Sequence, residues 1–167
     1  MSAPIVINQI AAAAFLVLVL TAAINDLRTY RIPNALTLAI VFIYPIFALT
    51  SPAEFDWLAV LLIAVAVFAV GFVLFAFRQI GGGDVKLLVG CALWAGPAFI
   101  FDFLVVTALA GGALSLFLIS PLGRGLAVAA DARGLSRFRD FLTADVVPYG
   151  VAIAAGGLFV AVRLIVP

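Results

Sequence analysis

Long apolar runs broken by short polar segments set the pattern of this chain. Pro4 to Ile24 are almost wholly apolar, enough for a helix to cross a hydrocarbon core of roughly 30 Å. Asn25 to Asn34 follow as a polar loop, in which Pro33 disfavours helix at Ile32 and is suited to open the next helix. Ala35 to Leu49 run back, and Ser51-Pro52-Ala53-Glu54-Phe55-Asp56 form a turn with acidic and no basic residues. A third run starts at Trp57, an interfacial anchor, and continues to about Phe77. After the polar segment Arg78 to Lys86, Leu87 to Ala95 make a helix that is short, tilted or partly re-entrant and ends at Gly96-Pro97. Phe103 to Ile119 return. Pro121 to Asp145 form the most polar segment, and the alternation over Leu135 to Leu142 suits an amphipathic interfacial helix. Pro148-Tyr149-Gly150 open a last run that ends near Arg163. The pattern predicts an all-α, polytopic integral membrane protein with about six transmembrane helices, organised as one transmembrane domain over 1–167 with a cytoplasmic loop at 120–147.

Composition strengthens that expectation. The 167 residues are 67% hydrophobic and 10% charged, with a mean hydropathy of +1.36. A soluble domain carries about 25% charged residues. A formal net charge of +1 argues against a nucleic-acid partner and leaves the lipid bilayer as the surrounding medium. His is absent, which excludes Ser-His or Cys-His catalysis and His-ligated metals. Cys91 is the one cysteine, too few for an internal disulfide or a Cys-x-x-Cys zinc clip. No Lys or Arg precedes the first run, so the basic n-region of a signal peptide is missing. Arg28, Arg31, Arg78, Lys86, Arg124, Arg133, Arg137 and Arg139 all fall in segments that alternation puts on one side, and only Arg163 falls on the other. By the positive-inside bias the first side is cytoplasmic and both termini are outside.

Ionisable residues at the membrane are costly and mark function. Asp26 and Asp84 stand at the inner ends of the first and fourth runs, on the same face. Two carboxylates sharing a site titrate as a unit, which supplies one base to activate water and one acid to polarise a carbonyl. Peptide hydrolysis needs those two roles and no cofactor or metal. Gly81, Gly82 and Gly83 before Asp84 allow unusual backbone angles and close approach of an extended strand. Lys86 either tunes the pair or is a cytoplasmic charge. The plainer readings are a solvated Asp26 paired with Arg28 or Arg31, and an Asp84 that caps a helix. Asp56 and Asp102 lie on the wrong face to join the pair, and Gly111-Gly112 and Gly156-Gly157 read as close helix packing. Tyr149 either faces the site or is an interfacial aromatic, the second being the plainer reading.

These residues resemble a known family. Gly81-Gly82-Gly83-Asp84 resembles the Gly-x-Gly-Asp signature of intramembrane aspartic proteases, and the run from Asp26 to Thr37 looks like the first aspartate motif of type IV prepilin peptidases. Gly83 to Leu88 resembles their second motif and Val147 to Gly156 their last helix. The resemblance implies an aspartic endopeptidase of the bacterial inner membrane, its site facing the cytoplasm, that removes the leader of a prepilin where leader meets hydrophobic helix. Asp26 and Asp84 would be catalytic. Larger relatives carry two Cys-x-x-Cys pairs in a domain that N-methylates the product, so one cysteine implies peptidase activity alone, as in the small enzymes of Flp/Tad pilus systems. A presenilin-like protease fits less well, because that group places its aspartates within helices and has more spans. A proton-coupled carrier or a noncatalytic pilus or secretion assembly factor are the competing classes.

Overall fold

The computed structural model describes residues 3–51, 56–143 and 147–166. Residues 52–55 of the expected outer turn and 144–146 of the polar segment, Asp145 among them, lie outside the described residues. The described chain is helical, with no strand: α1 (Ala3–Thr29), α2 (Asn34–Thr50), α3 (Trp57–Ala76), α4 (Gly82–Ile119), α5 (Pro121–Ala132), α6 (Ser136–Leu142) and α7 (Tyr149–Ile165). α1, α3 and α4 are long and apolar enough to cross a membrane, and α2 and α7 are shorter apolar helices. Leu58, Leu61, Leu62, Val65, Phe68 and Phe72 on α3 are exposed, a surface that suits lipid and would be a liability in water.

α4 reverses direction within its length. Gly96 has φ 53° and ψ −168°, a conformation open mainly to glycine, and Pro97 follows it. On α7, Gly157 abuts Cys91 from the first half of α4, while Gly156 abuts Phe103 and Thr107 from the second. Toward the start of α7, Tyr149 and Ala152 meet Gly111; toward its end, the Arg163 guanidinium lies 5.6 Å from the centre of the Phe99 ring. The stretch 97–119 therefore retraces 82–95 along the same neighbour. This hairpin accounts for the separate fourth and fifth helices expected from Gly96-Pro97, although the fourth starts at Gly82 instead of Leu87.

Two other boundaries differ from expectation. α1 does not stop where its hydrophobicity stops but runs on to Thr29, so Asp26 lies in its last turns and not in a loop. The polar side chains there satisfy themselves on the helix backbone: Asn25 Nδ2 donates to the Thr21 carbonyl at 3.0 Å, and Thr29 Oγ1 to that of Asn25 at 2.9 Å. Tyr30, at φ 51°, then ends the helix, its amide donating to the Asp26 carbonyl at 2.9 Å. The segment 120–147, expected as a loop with one amphipathic helix, holds two helices. α5 buries Gly123, Ala127 and Ala130 on one stripe, and Arg139 of α6 bridges to Asp131 of α5 at 2.7 Å.

The core is fixed by an aromatic stack deep in the bundle. Phe15 of α1 and Trp94 of α4 lie parallel with ring centres 4.3 Å apart, and the buried Trp94 Nε1 donates to the Ile40 carbonyl of α2 at 2.9 Å. Small residues let the helices close on this core. Gly157 leaves room for Val19 and Cys91, whereas Gly112, read from sequence as a packing residue, faces open space.

The hairpin yields a paired prediction. Gly96→Ala has room for its methyl group, the nearest atom being Val60 Cγ2 at 3.8 Å, so its cost is backbone strain of about 1–3 kcal/mol. Gly112→Ala, in regular helix and open space, should be neutral or stabilising by about 0.5–1 kcal/mol. Thermal unfolding of the detergent-extracted protein reads both, and equal midpoints would contradict the assigned reversal.

Candidate active site

Asp26 and Asp84 reach the wall of one cavity of about 580 Å³ at the end of the bundle that carries Arg78. α1 supplies Asp26 and its C-terminal cap supplies Tyr30; the end of α3 supplies Phe75 and Ala76. The following turn gives Arg78, Gln79, Ile80 and Gly81, α4 gives Asp84, and the start of α7 gives Pro148 and Tyr149. The helix packing thus brings the two aspartates expected from sequence to one cavity, and Tyr149 lines it with them.

Each carboxylate is oriented by a backbone amide. Asp26 is 4% exposed, and its Oδ2 accepts from the Gly150 amide at 2.8 Å, with the Val151 amide also directed at the group. The first amides of a helix have no partner within it, so the start of α7 has donors to spare for this carboxylate. Asp84 Oδ2 accepts from the Gly81 amide at 3.1 Å. Gly81 is the N-cap of α4 and Asp84 its third residue, so Asp84 makes one half of a capping box; the reciprocal bond is impossible because glycine has no side chain. The plainer reading of Asp84 as the N-cap itself is corrected by one turn. Capping and cavity lining are compatible.

Both aspartates therefore lie inside helices, which removes one of the two grounds for setting aside a presenilin-like protease. The glycines divide their tasks. Gly81 lines the cavity, Gly82 packs on the Phe75 ring, and Gly83 packs on Ile32. Lys86 is directed elsewhere: its Nζ donates to Asn34 Oδ1 at 2.9 Å and it lines a separate cavity with Thr37 and Val89. Asp56 caps α3, accepting from the Ala59 amide at 2.9 Å, and Asp102 is exposed on α4.

Two residues missed in the sequence stand out on the cavity wall. Tyr30 and Arg78 have φ of 51° and 59°, and among the described residues they are the non-glycine positions with positive φ. Such backbone is costly for an L-residue and tends to cluster at functional sites. No glycine marks either position in the sequence, so no local signal pointed to them. Burial, then the negative charges of Asp26 and Asp140, push the Tyr30 phenol above its ordinary range, so it remains a hydrogen-bond donor at neutral pH. Beyond Tyr30 a second, polar cavity of about 600 Å³ continues between the end of α1 and α6, lined by Leu27, Arg28, Asp140 and Phe141. Among the described residues no group of three or more His, Cys, Asp or Glu gathers as a metal site.

Fold and site together define an all-helical membrane protein with a paired-carboxylate cavity at one end of its bundle. A family model described as the type IV leader peptidase family matches residues 13–116, more than half of the sequence, and the chain belongs to that family. Membership makes it a peptidase whose substrate class is the prepilin leader. No curated protein and no solved structure matches the chain. The matched region includes Asp26 and Asp84 and stops before α7, the helix that supplies Gly150.

The cavity geometry predicts selective thiol labelling. Arg78→Cys and Gln79→Cys should react with a membrane-impermeant maleimide in the folded protein, whereas the fully buried Cys91 should react only after denaturation. Labelling of Cys91 at a comparable rate in the folded state would contradict the packing of α4 against α7.

Proposed function

We propose that this protein is an aspartic endopeptidase of the bacterial inner membrane that removes the leader from Flp/Tad-like prepilins at the cytoplasmic interface. The observation that carries the reading is the convergence of Asp26 and Asp84, from α1 and α4, on one cavity at the end of an otherwise apolar bundle. The same end carries Arg28, Arg31, Arg78 and Lys86, which by the positive-inside bias faces the cytoplasm. Counting the two halves of α4 separately, α1, α2, α3 and α7 complete six spans with both termini outside.

The chemistry follows from two carboxylates in opposite protonation states. The ionised one takes a proton from water as the water oxygen bonds to the scissile carbonyl carbon, and the protonated one donates to the carbonyl oxygen. Collapse of the tetrahedral diol breaks the C–N bond as the carboxyl that took the water proton passes it to the departing amine, and a diol hydroxyl returns its proton to the other carboxylate, which restores the pair. A substrate with an apolar helix in the bilayer and a polar leader in the cytoplasm presents its junction at the level of this cavity. Holding that bond in register supplies much of the rate.

Cleavage of a small prepilin from the same genome, followed by gel mobility in membranes, tests the reading. The parent should remove the leader, and Asp26→Asn or Asp84→Asn should each reduce turnover by at least about 1,000-fold while the substrate still binds, as removal of a member of an acting pair does elsewhere. Cleavage that survives either substitution overturns the two-aspartate mechanism. An inert parent, across several candidate prepilins, moves the balance to a carrier or an assembly factor. Because one carboxylate must be ionised and its partner protonated, the rate should follow a bell-shaped pH profile. A rate that stays flat from acidic to neutral pH contradicts a coupled pair.

A further inference from the structure

One side chain packs against a glycine from each half of the site. Ile32, in the turn between α1 and α2, is only 8% exposed and belongs to the buried apolar core. On one side it meets Gly83, next to Asp84: a Cβ at 83 would stand 3.3 Å from Ile32 Cβ and 3.6 Å from its backbone N and O. On the other side it meets Gly150, which holds Asp26: a Cβ at 150 would stand 2.9 Å from Ile32 Cδ1, 2.7 Å from Asp26 Oδ2 and 2.9 Å from Asp26 Cγ. The isoleucine is thus wedged between the glycine beside one aspartate and the glycine that orients the other.

The turn that presents it is stiff. Tyr30 at φ 51° reverses the chain after α1, and Pro33, at φ −60° and ψ 135°, restricts Ile32 to extended backbone. The β-branched side chain has few rotamers. Neither glycine is needed for a turn: Gly83 is helical, and Gly150 lies in the first turn of α7. Close approach is what they permit.

We infer that Ile32, Gly83 and Gly150 form a spacer that sets the separation and orientation of the two carboxylates, with Gly150 as the positioning residue for Asp26. This rests on the proposed aspartic peptidase and adds residues to it, one of which lies outside the region matched by the family. The spacer acts on the reacting groups through packing and the hydrogen bond donated by the Gly150 amide, so its loss should appear in kcat and leave KM in place. At Gly150 the obstructing atoms are the short Asp26 carboxylate on α1 as well as Ile32 Cδ1, so even if Ile32 gives way a methyl group there must displace Asp26 or α7. At Gly83 a shift of a few tenths of an ångström suffices.

The test compares four variants in the prepilin cleavage assay, with rates expressed per folded molecule. Gly150→Ala should lower kcat roughly 100-fold, the scale of a misplacement near 1 Å, with KM within about twofold of the parent. Ile32→Ala should lower kcat by a similar amount, and Gly83→Ala by less. Gly157→Ala is the control: on the same helix, its Cβ would crowd Val19 and Cys91 at 3.1 and 3.2 Å, far from the cavity, so thermal stability should fall while kcat per folded molecule holds. The spacer is overturned if Gly150→Ala keeps the parental kcat, if its loss merely follows the folded fraction as in Gly157→Ala, or if KM carries the change. These results are separate from failure of the underlying reading, in which the parent itself does not cleave or Asp26→Asn remains active; that outcome overturns the spacer as well.

Discussion

A carboxylate can be buried at the end of an apolar helix only where backbone donors meet it, because an isolated ion in such surroundings costs several kcal/mol or more. Asp26 is in that position, and the Gly150 amide at 2.8 Å is its answer. The bond joins α1 to α7, two helices far apart in sequence, and much of the end of the bundle that carries Arg78 is arranged to permit it. Pro148 is buried behind the start of α7, Gly150 has no side chain to obstruct the carboxylate, and Ile32 fills the space beside it. Asp84 is met more locally, by the amide three residues before it. One aspartate thus depends on tertiary structure for its orientation and the other mainly on its own helix.

The hairpin in α4 serves the same arrangement from the opposite end. Reversal at Gly96 lets 97–119 return along α7, so that α7 is gripped by both halves of α4 and by α1. Close contacts at Gly111 and Gly156 pack α7 against the second half of α4. In a bilayer the hydrophobic effect gives helices little reason to prefer one another over lipid, so such small-residue packing carries the association. The stack of Phe15 on Trp94 and the indole bond to Ile40 tie α1, α4 and α2 at a deeper level, away from the cavity. Rigid packing at depth and strained backbone at Tyr30 and Arg78 on the cavity wall fit a site whose geometry is held by the scaffold around it.

Much of the architecture was legible in the sequence because the bilayer imposes a coarse code. Apolar runs of spanning length, an excess of Arg and Lys on alternate breaks, and a Gly-Pro pair that interrupts a run are local signals, and each was matched by a helix, a charged end or the reversal at Gly96. The two aspartates stood out as candidates for the same reason, since a charge beside an apolar run is costly, and both line one cavity. Errors arose where polarity was taken for loop. α1 continues through Asn25 to Thr29 with Asn25 and Thr29 bonded back to carbonyls of their own helix, and α5 forms from a polar segment by burying only a narrow stripe of small residues.

What the sequence determined by itself is therefore the class of solvent, the approximate helices and the pair of candidate acids, all of which follow from residue type and spacing along one dimension. Tertiary structure decided the partners. Lys86 is adjacent in sequence to the aspartate motif yet bonds to Asn34, because in a helix two residues of separation point side chains in different directions. Gly150 is remote from Asp26 in sequence yet supplies its nearest amide, and Ile32 touches glycines on two other helices. Contacts of this kind arise from the register in which helices pack, a quantity set by many small surfaces at once and written at no single position in the chain.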